Sequence, residues 1–429
     1  MNNSQIQDKQ EKPKSDEILS NVKPAVLTQD KNKNKNKNFI IIICAVLFII
    51  CAALVIYGLV SAADSKNDYK LIGFSFIENE KFGFMDKTGK VLIPAQYDER
   101  IYAFSENLAA VCINGRYGYI DKSGIQKISA DFDSARSFSE KLAAVSINGR
   151  YGYINTNGDF VISPNFEEAK SFSGGLAAVK IGGLWGFTDK KGTIKINPQF
   201  ELVSNFFDGR AVALKNSKWG LINKNGGTAA DFEYDEIDRV FKDSLILAKK
   251  DGLFGFINKR GKTIIPFEYI NAGAFSEKYA KVSKNDGEEE SELFGYIDLK
   301  NIYRIEAEYA EVSDFSEGLA FALDNGAYCV INKKGEIIVN PQFSAYRNFK
   351  GGVAPVSVGG KWGVIDKRGK YIINPQYYAI SDFESNLAIV RLGDKVGVIN
   401  KRGNIIIDIK YDNRASQNYY GLSMIWEIK

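Results

Sequence analysis

The 429 residues carry 56 Lys or Arg against 52 Asp or Glu, 45% apolar side chains and no histidine. That composition suffices for an ordered structure larger than one ordinary domain, and without imidazole the commonest general base, the triads built on it and most zinc sites are excluded. Residues 39–429 are nearly neutral, which argues against a nucleic-acid partner, since a duplex demands a concentrated basic face.

Residues 1–38 are polar, rich in Lys, Asn and Gln, and show no periodic apolar face. Such a segment buries too little surface to offset the entropy of ordering, so it is expected to be a disordered cytoplasmic tail. Phe39 to Val60 follows, an uncharged run long enough for a helix of roughly 33 Å, the thickness of a bilayer core. It predicts one transmembrane helix at 39–60. The Lys-Asn run at 31–38 marks the cytoplasmic end and places everything after it outside. A cleaved leader ending at Ser61-Ala62-Ala63 is the competing reading, and the length of the apolar run favours the anchor. Residues 61–70 read as a linker.

From residue 71 to 429 the chain repeats. An aromatic-glycine pair recurs with a period near 34 residues, as Tyr117-Gly118, Tyr151-Gly152, Trp185-Gly186, Trp219-Gly220 and Trp362-Gly363, with further Phe-Gly copies and two diverged ones at Tyr328-Cys329 and Val396-Gly397. Ten units result. Three residues after the glycine comes Asp or Asn, usually then Lys, and Gly three further on, the chemistry of a hairpin turn with a bulge. An apolar strand then often meets proline (Pro94, Pro164, Pro198, Pro266, Pro341, Pro375), where the chain is expected to leave the sheet.

An aromatic at one fixed position closes each unit, from Tyr97 to Tyr411, and is expected to plug the gap between neighbouring units. A second recurrent ring, including Phe138, Phe172 and Phe241, precedes a strand that runs into Asn-Gly or Gly-Gly, a two-residue hairpin signal. Each unit is therefore a roughly three-stranded antiparallel meander. The glycine of each pair is expected to admit a neighbouring ring or backbone. Leu71–Ile77 and Leu422–Ile428 occupy the same phase, so the array looks complete at both ends. One unit is longer, with an acidic excursion at residues 284–292 read as a solvated loop.

The string aromatic-Gly-x-Ile-[Asp/Asn]-Lys-x-Gly, with Lys218-Trp219-Gly220 and Lys361-Trp362-Gly363, resembles the WG-repeat or KWG-repeat family, seen mainly in bacterial proteins. The resemblance implies an all-β repeat array, often on secreted or surface proteins, with no catalytic residues to carry over. A propeller-like toroid or an open, spiral β-repeat superhelix are the two architectures, and because ten blades are many for one ring, the expectation leans to the superhelix.

Functionally, the sequence points to a membrane-anchored extracytoplasmic scaffold for a protein or an envelope polymer, without cofactor, metal or nucleic acid and without catalysis. Two alternatives stand beside it: an envelope glycan-binding or glycan-processing protein, which would require paired carboxylates, and a ligand sensor signalling through its helix. The repeat aromatics read as core between units rather than as a ligand platform. Cys112 and Cys329 are isolated and read as buried.

Overall fold

The computed structural model describes residues 69–101, 103–239, 244–284, 292–413 and 421–428. The expected tail and transmembrane helix and all but the last two residues of the expected linker, together with Phe241 and most of the acidic excursion, lie outside the described residues; Lys70, the linker's last residue, already belongs to the first strand. No helix long and apolar enough to cross a membrane occurs among the described residues.

Ten small antiparallel sheets follow one another along the chain. Blade 4 shows the full pattern: a short strand a, Glu168–Ala169; strand b, Leu176–Ile181; strand c, Leu184–Asp189; and strand d, Ile194–Phe200, ordered a-b-c-d across the sheet. Thus the expected meander of three strands gains a fourth, two residues long. Strands d end at residues 97, 132, 166, 200, 234, 269, 309, 343, 377 and 412 in blades 1 to 10.

Each connection follows from its residues. Asn114-Gly115 and Asn148-Gly149 take positive φ at both positions, the b–c hairpin turn that Asn-Gly favours. At the c–d turn the cap side chain accepts two backbone N–H groups, as Asp121 does from Ser123 and Ile125 and Asn258 from Arg260 and Lys262. The following glycine takes the left-handed conformation, with φ of 83° at Gly124 and 75° at Gly261.

Proline does not end the sheet, contrary to the expectation. Trp185 pairs with Phe200 and Phe187 with Ile196, so two residues of strand c face four of strand d. Strand d bulges at Pro198 and resumes the ladder at the aromatic. It is an edge strand, where a missing N–H donor costs nothing.

The leaning toward an open superhelix is also overturned. Strand 422–428, though in the phase of a b strand, takes the a position of blade 1. It pairs antiparallel with 70–78, from Leu71↔Trp426 to Phe76↔Leu422, and in parallel with 103–105 of the next segment. An open array would leave both ends apart, so the ladder between them closes a ten-bladed β-propeller.

The core lies between blades. Trp185, Ile196 and Phe200 of blade 4 pack with Val203, Phe206, Ala211, Ala213 and Ile222 of blade 5. The closing interface joins Leu71, Phe74 and Phe76 to Leu387, Val396, Val398, Ile407 and Leu422. Ten such clusters serve ten interfaces, all built from residues 71–425. The ring therefore contains every interface it needs and is a self-sufficient folding body.

Candidate interaction surface

The ten residues singled out from the sequence are not brought together. Tyr117-Gly118, Tyr151-Gly152, Trp185-Gly186, Trp219-Gly220 and Trp362-Gly363 each occupy strand c of their own blade. Each aromatic faces the closing aromatic of the same blade, Tyr117 opposite Phe132 and Trp219 opposite Tyr234. Trp185 is 3% exposed and the other four are half-buried, so the rings are principally core.

The glycines answer to the bulge. A Cβ on Gly186 would lie 2.7 Å from Pro198 N, and one on Gly118 2.6 Å from Ile128 O. The close neighbour is the backbone of the blade's own strand d, an approach of the kind the sequence suggested. The residue after the glycine also packs between blades. Tyr119 packs its ring, tilted, at 4.8 Å against Phe138 of the next blade and donates its hydroxyl to Arg136 O at 2.7 Å. Tyr153 repeats this with Phe172 and Lys170 O.

Two sets of charges, unforeseen as pairs, are structural too. The base before the aromatic binds the acid seventeen residues on: Lys81–Asp98, Arg116–Asp133, Lys218–Asp235 and Lys395–Asp412. In blade 9, where the acid is absent, Lys361 sits 3.2 Å from the ring centroid of Tyr378. Each of these pins a b–c tip to the link that leads out of strand d. A fixed spacing of basic and acidic residues was the available signal.

At the other end of the blades, the lysine after the turn cap reaches the preceding blade's a–b loop. Lys190 meets Glu140, Lys333 meets Glu277 and Lys367 meets Glu317, at 3.0 to 3.3 Å. Lys224 donates to Gly174 O and Lys401 to Gly351 O, both at 2.6 Å. Glu317 also accepts from Gly351 N and Gly352 N.

These partners tune the carboxylates downward. A hydrogen bond from Ser123 and then those from the turn backbone and Lys127 hold Asp121 at about 2 against slight desolvation. Asp98 and Asp235 are lowered first by their lysines. Desolvation of Glu277 and Glu317 would raise them, and it is outweighed by their lysines and backbone donors. A general acid for glycoside cleavage needs the opposite shift. Among the described residues no cluster of three or more metal-ligating side chains occurs. Cys112 and Cys329 are buried as expected, and desolvation raises both thiols.

An open cleft of about 530 Å³ lies among the a–b loops of blades 8 to 10, but its lining is already engaged. Arg347 donates to Ile380 O at 2.7 Å and lies 5.7 Å from the Trp362 ring, and Lys350 pairs with Glu384. What remains for a partner is the pair of faces. The b–c tips and the d-to-a links share one face, and there Ile181, Leu184, Leu202, Leu253, Ile270, Val358, Tyr378 and Leu392 are exposed by 37 to 48%. In blade 6 the ionic pair seventeen residues apart becomes Leu253 and Ile270, both at solvent.

A family model described as "WG containing repeat" matches ten consecutive segments, residues 82–117, 117–151, 151–185, 185–219, 219–254, 254–287, 294–328, 330–362, 362–395 and 397–425. No curated protein matches the chain. Solved structures with a partial likeness include a eukaryotic initiation factor (10% identity, 78% of this chain and 95% of that one, TM-score 0.41). Dihydro-heme d1 dehydrogenase NirN in complex with DHE (13%, 63% and 74%, TM-score 0.34) and Kluyveromyces lactis Hsv2p (7%, 59% and 93%, TM-score 0.33) are others.

Proposed function

The chain belongs to the family of WG-containing repeats, and from that premise we propose that it is a non-catalytic interaction scaffold, held at the cell membrane by residues 39–60 with its propeller outside the cytoplasm. One observation carries the reading. The residues that recur in every blade are committed to turns, interblade packing and ion pairs, while the exposed apolar side chains of the b–c tip face fall at positions that differ from blade to blade. A surface of that kind, apolar and unlike itself around the ring, suits a protein partner more than a repeating polymer.

Leu253 and Ile270 are the first residues to test, since an apolar pair replaces a salt bridge there and gives up the solubility it would provide. Purified residues 64–429, used to capture partners from the native envelope, should retain one protein saturably, and L253K/I270K should release it while melting within a few degrees of the parent. Equal retention by both proteins would remove this face from the reading. Cleavage of envelope glycans with nothing retained would replace the scaffold by the enzyme.

A further inference from the structure

The opposite face carries a charge that the net balance conceals. Because neighbouring strands run antiparallel, the a–b loops and c–d turns lie together at one face. The ten seven-residue segments that begin at the turn caps, from residue 86 to residue 400, hold twenty Lys or Arg and seven Asp or Glu. Five of those seven acids are caps whose side chains accept the turn's own N–H groups, as at Asp86 and Asp366. Residues 69–429 as a whole hold 47 basic and 45 acidic side chains, which leaves 27 and 38 outside the turns.

Position within the turn divides these cations. The second residue, in blades 2, 4 to 6 and 8 to 10, is the lysine that reaches the preceding blade. The third has no acidic partner within 4.0 Å among the described residues, and it is Arg260, Lys300, Lys334, Arg368 and Arg402 in blades 6 to 10, all exposed. In the same five blades an exposed isoleucine follows two to four residues later, at or next to the start of strand d: Ile264, Ile302, Ile337, Ile372 and Ile405, exposed by 41 to 55%. Half of the ring thus presents a cation and an apolar side chain in each blade, at one level.

The chain also enters the propeller at this face. Gly73, near the start of the first strand, pairs with the cap Asp86, so Lys70 lies at the turn end of blade 1. Only residues 61–69 separate that point from the uncharged run ending at Val60. Nine residues span at most about 32 Å when fully extended.

We propose that the turn face of blades 6 to 10 docks on an anionic lipid surface, its guanidinium and ammonium groups on headgroup phosphates and its isoleucines at the boundary with the acyl chains. The choice of lipid over a soluble polyanion rests on the anchor reading of residues 39–60; the cationic arc itself does not. Five cations each worth roughly fivefold in partitioning make the attraction large at low ionic strength and screened at high.

The test uses residues 64–429, which lack the apolar run, in co-sedimentation with vesicles of phosphatidylcholine alone or with 30% phosphatidylglycerol. Binding to the anionic vesicles should exceed binding to the neutral ones more than tenfold at low salt and fall away in about 0.5 M salt. R260Q/K300Q/K334Q/R368Q/R402Q should lose at least tenfold, while K215Q/K250Q/K410Q, placed away from the turns, should bind as the parent does. Equal binding to the two vesicle types overturns the proposal, and so does an unaffected quintuple variant. Preferential capture by inorganic polyphosphate that the vesicles cannot displace assigns the arc to a soluble polymer and overturns it as well. Whether the full chain resists extraction from membranes by alkaline carbonate tests the anchor separately, so the two failures are distinguishable.

Discussion

Single residues in this protein differ sharply in consequence although they recur equally often. Gly186 has strand d pressed against it by the Pro198 bulge, with backbone atoms where a side chain would begin. G186V should therefore cost roughly 3 kcal/mol, the scale of overpacking a core, seen as a lower urea midpoint with an unchanged slope. The pair Lys218–Asp235, equally regular, is 41% and 31% exposed, where solvent screens the attraction. D235N should cost under about 1 kcal/mol. A result in the other order would mean that the tips, not the bulges, govern the blade.

At the scale of the strand, 422–428 is the element with most resting on it. Leu422 and Ile425 are 1% and 0% exposed, and burying each contributes roughly 2 kcal/mol in addition to the ladder with strand 70–78. Removing residues 421–429 should lower stability by about 5 kcal/mol and bare the edge of strand 70–78. Sedimentation velocity at micromolar concentration should then show larger species than the parent forms. A truncated chain that melts and sediments like the parent would mean that the seam is not what closes the ring. The sequence displayed the strands themselves plainly: caps, Asn-Gly turns and alternating aromatics each have a local cause. It concealed strand a, whose two residues carry no periodicity, and the bulge, since proline reads equally as an end and as a kink.

For the whole molecule, what the repeat could not convey is curvature. A 34-residue period defines a blade, but whether ten blades close depends on the angle between them, and the deciding contact joins residues more than three hundred apart. The same limit hid the two faces. Composition gave neutrality, and only the alternation of strand direction sorts the turn cations to one side and the exposed apolar tips to the other. On the two readings proposed above, a body divided this way would rest one face on a membrane and offer the other to a protein.

The lack of histidine makes a last statement about the whole ring. Asp98, Asp121, Asp235, Glu277 and Glu317 have folded pKa values below their unfolded ones, so their contribution is present above about pH 4 and is lost as pH falls toward 2. Burial raises Tyr119, Tyr153 and Tyr296 and both described cysteines. Their contribution is complete below the unfolded values, 9.0 for Cys and 10.0 for Tyr, and is lost as pH climbs through the folded ones. With no histidine, no side chain of ordinary pKa titrates between. The urea midpoint of residues 64–429 should therefore be flat from about pH 5 to pH 8.5 and fall on both sides. A step near neutrality would require a strongly displaced carboxylate or thiol, and with it the kind of activated group that an enzyme, rather than a scaffold, maintains.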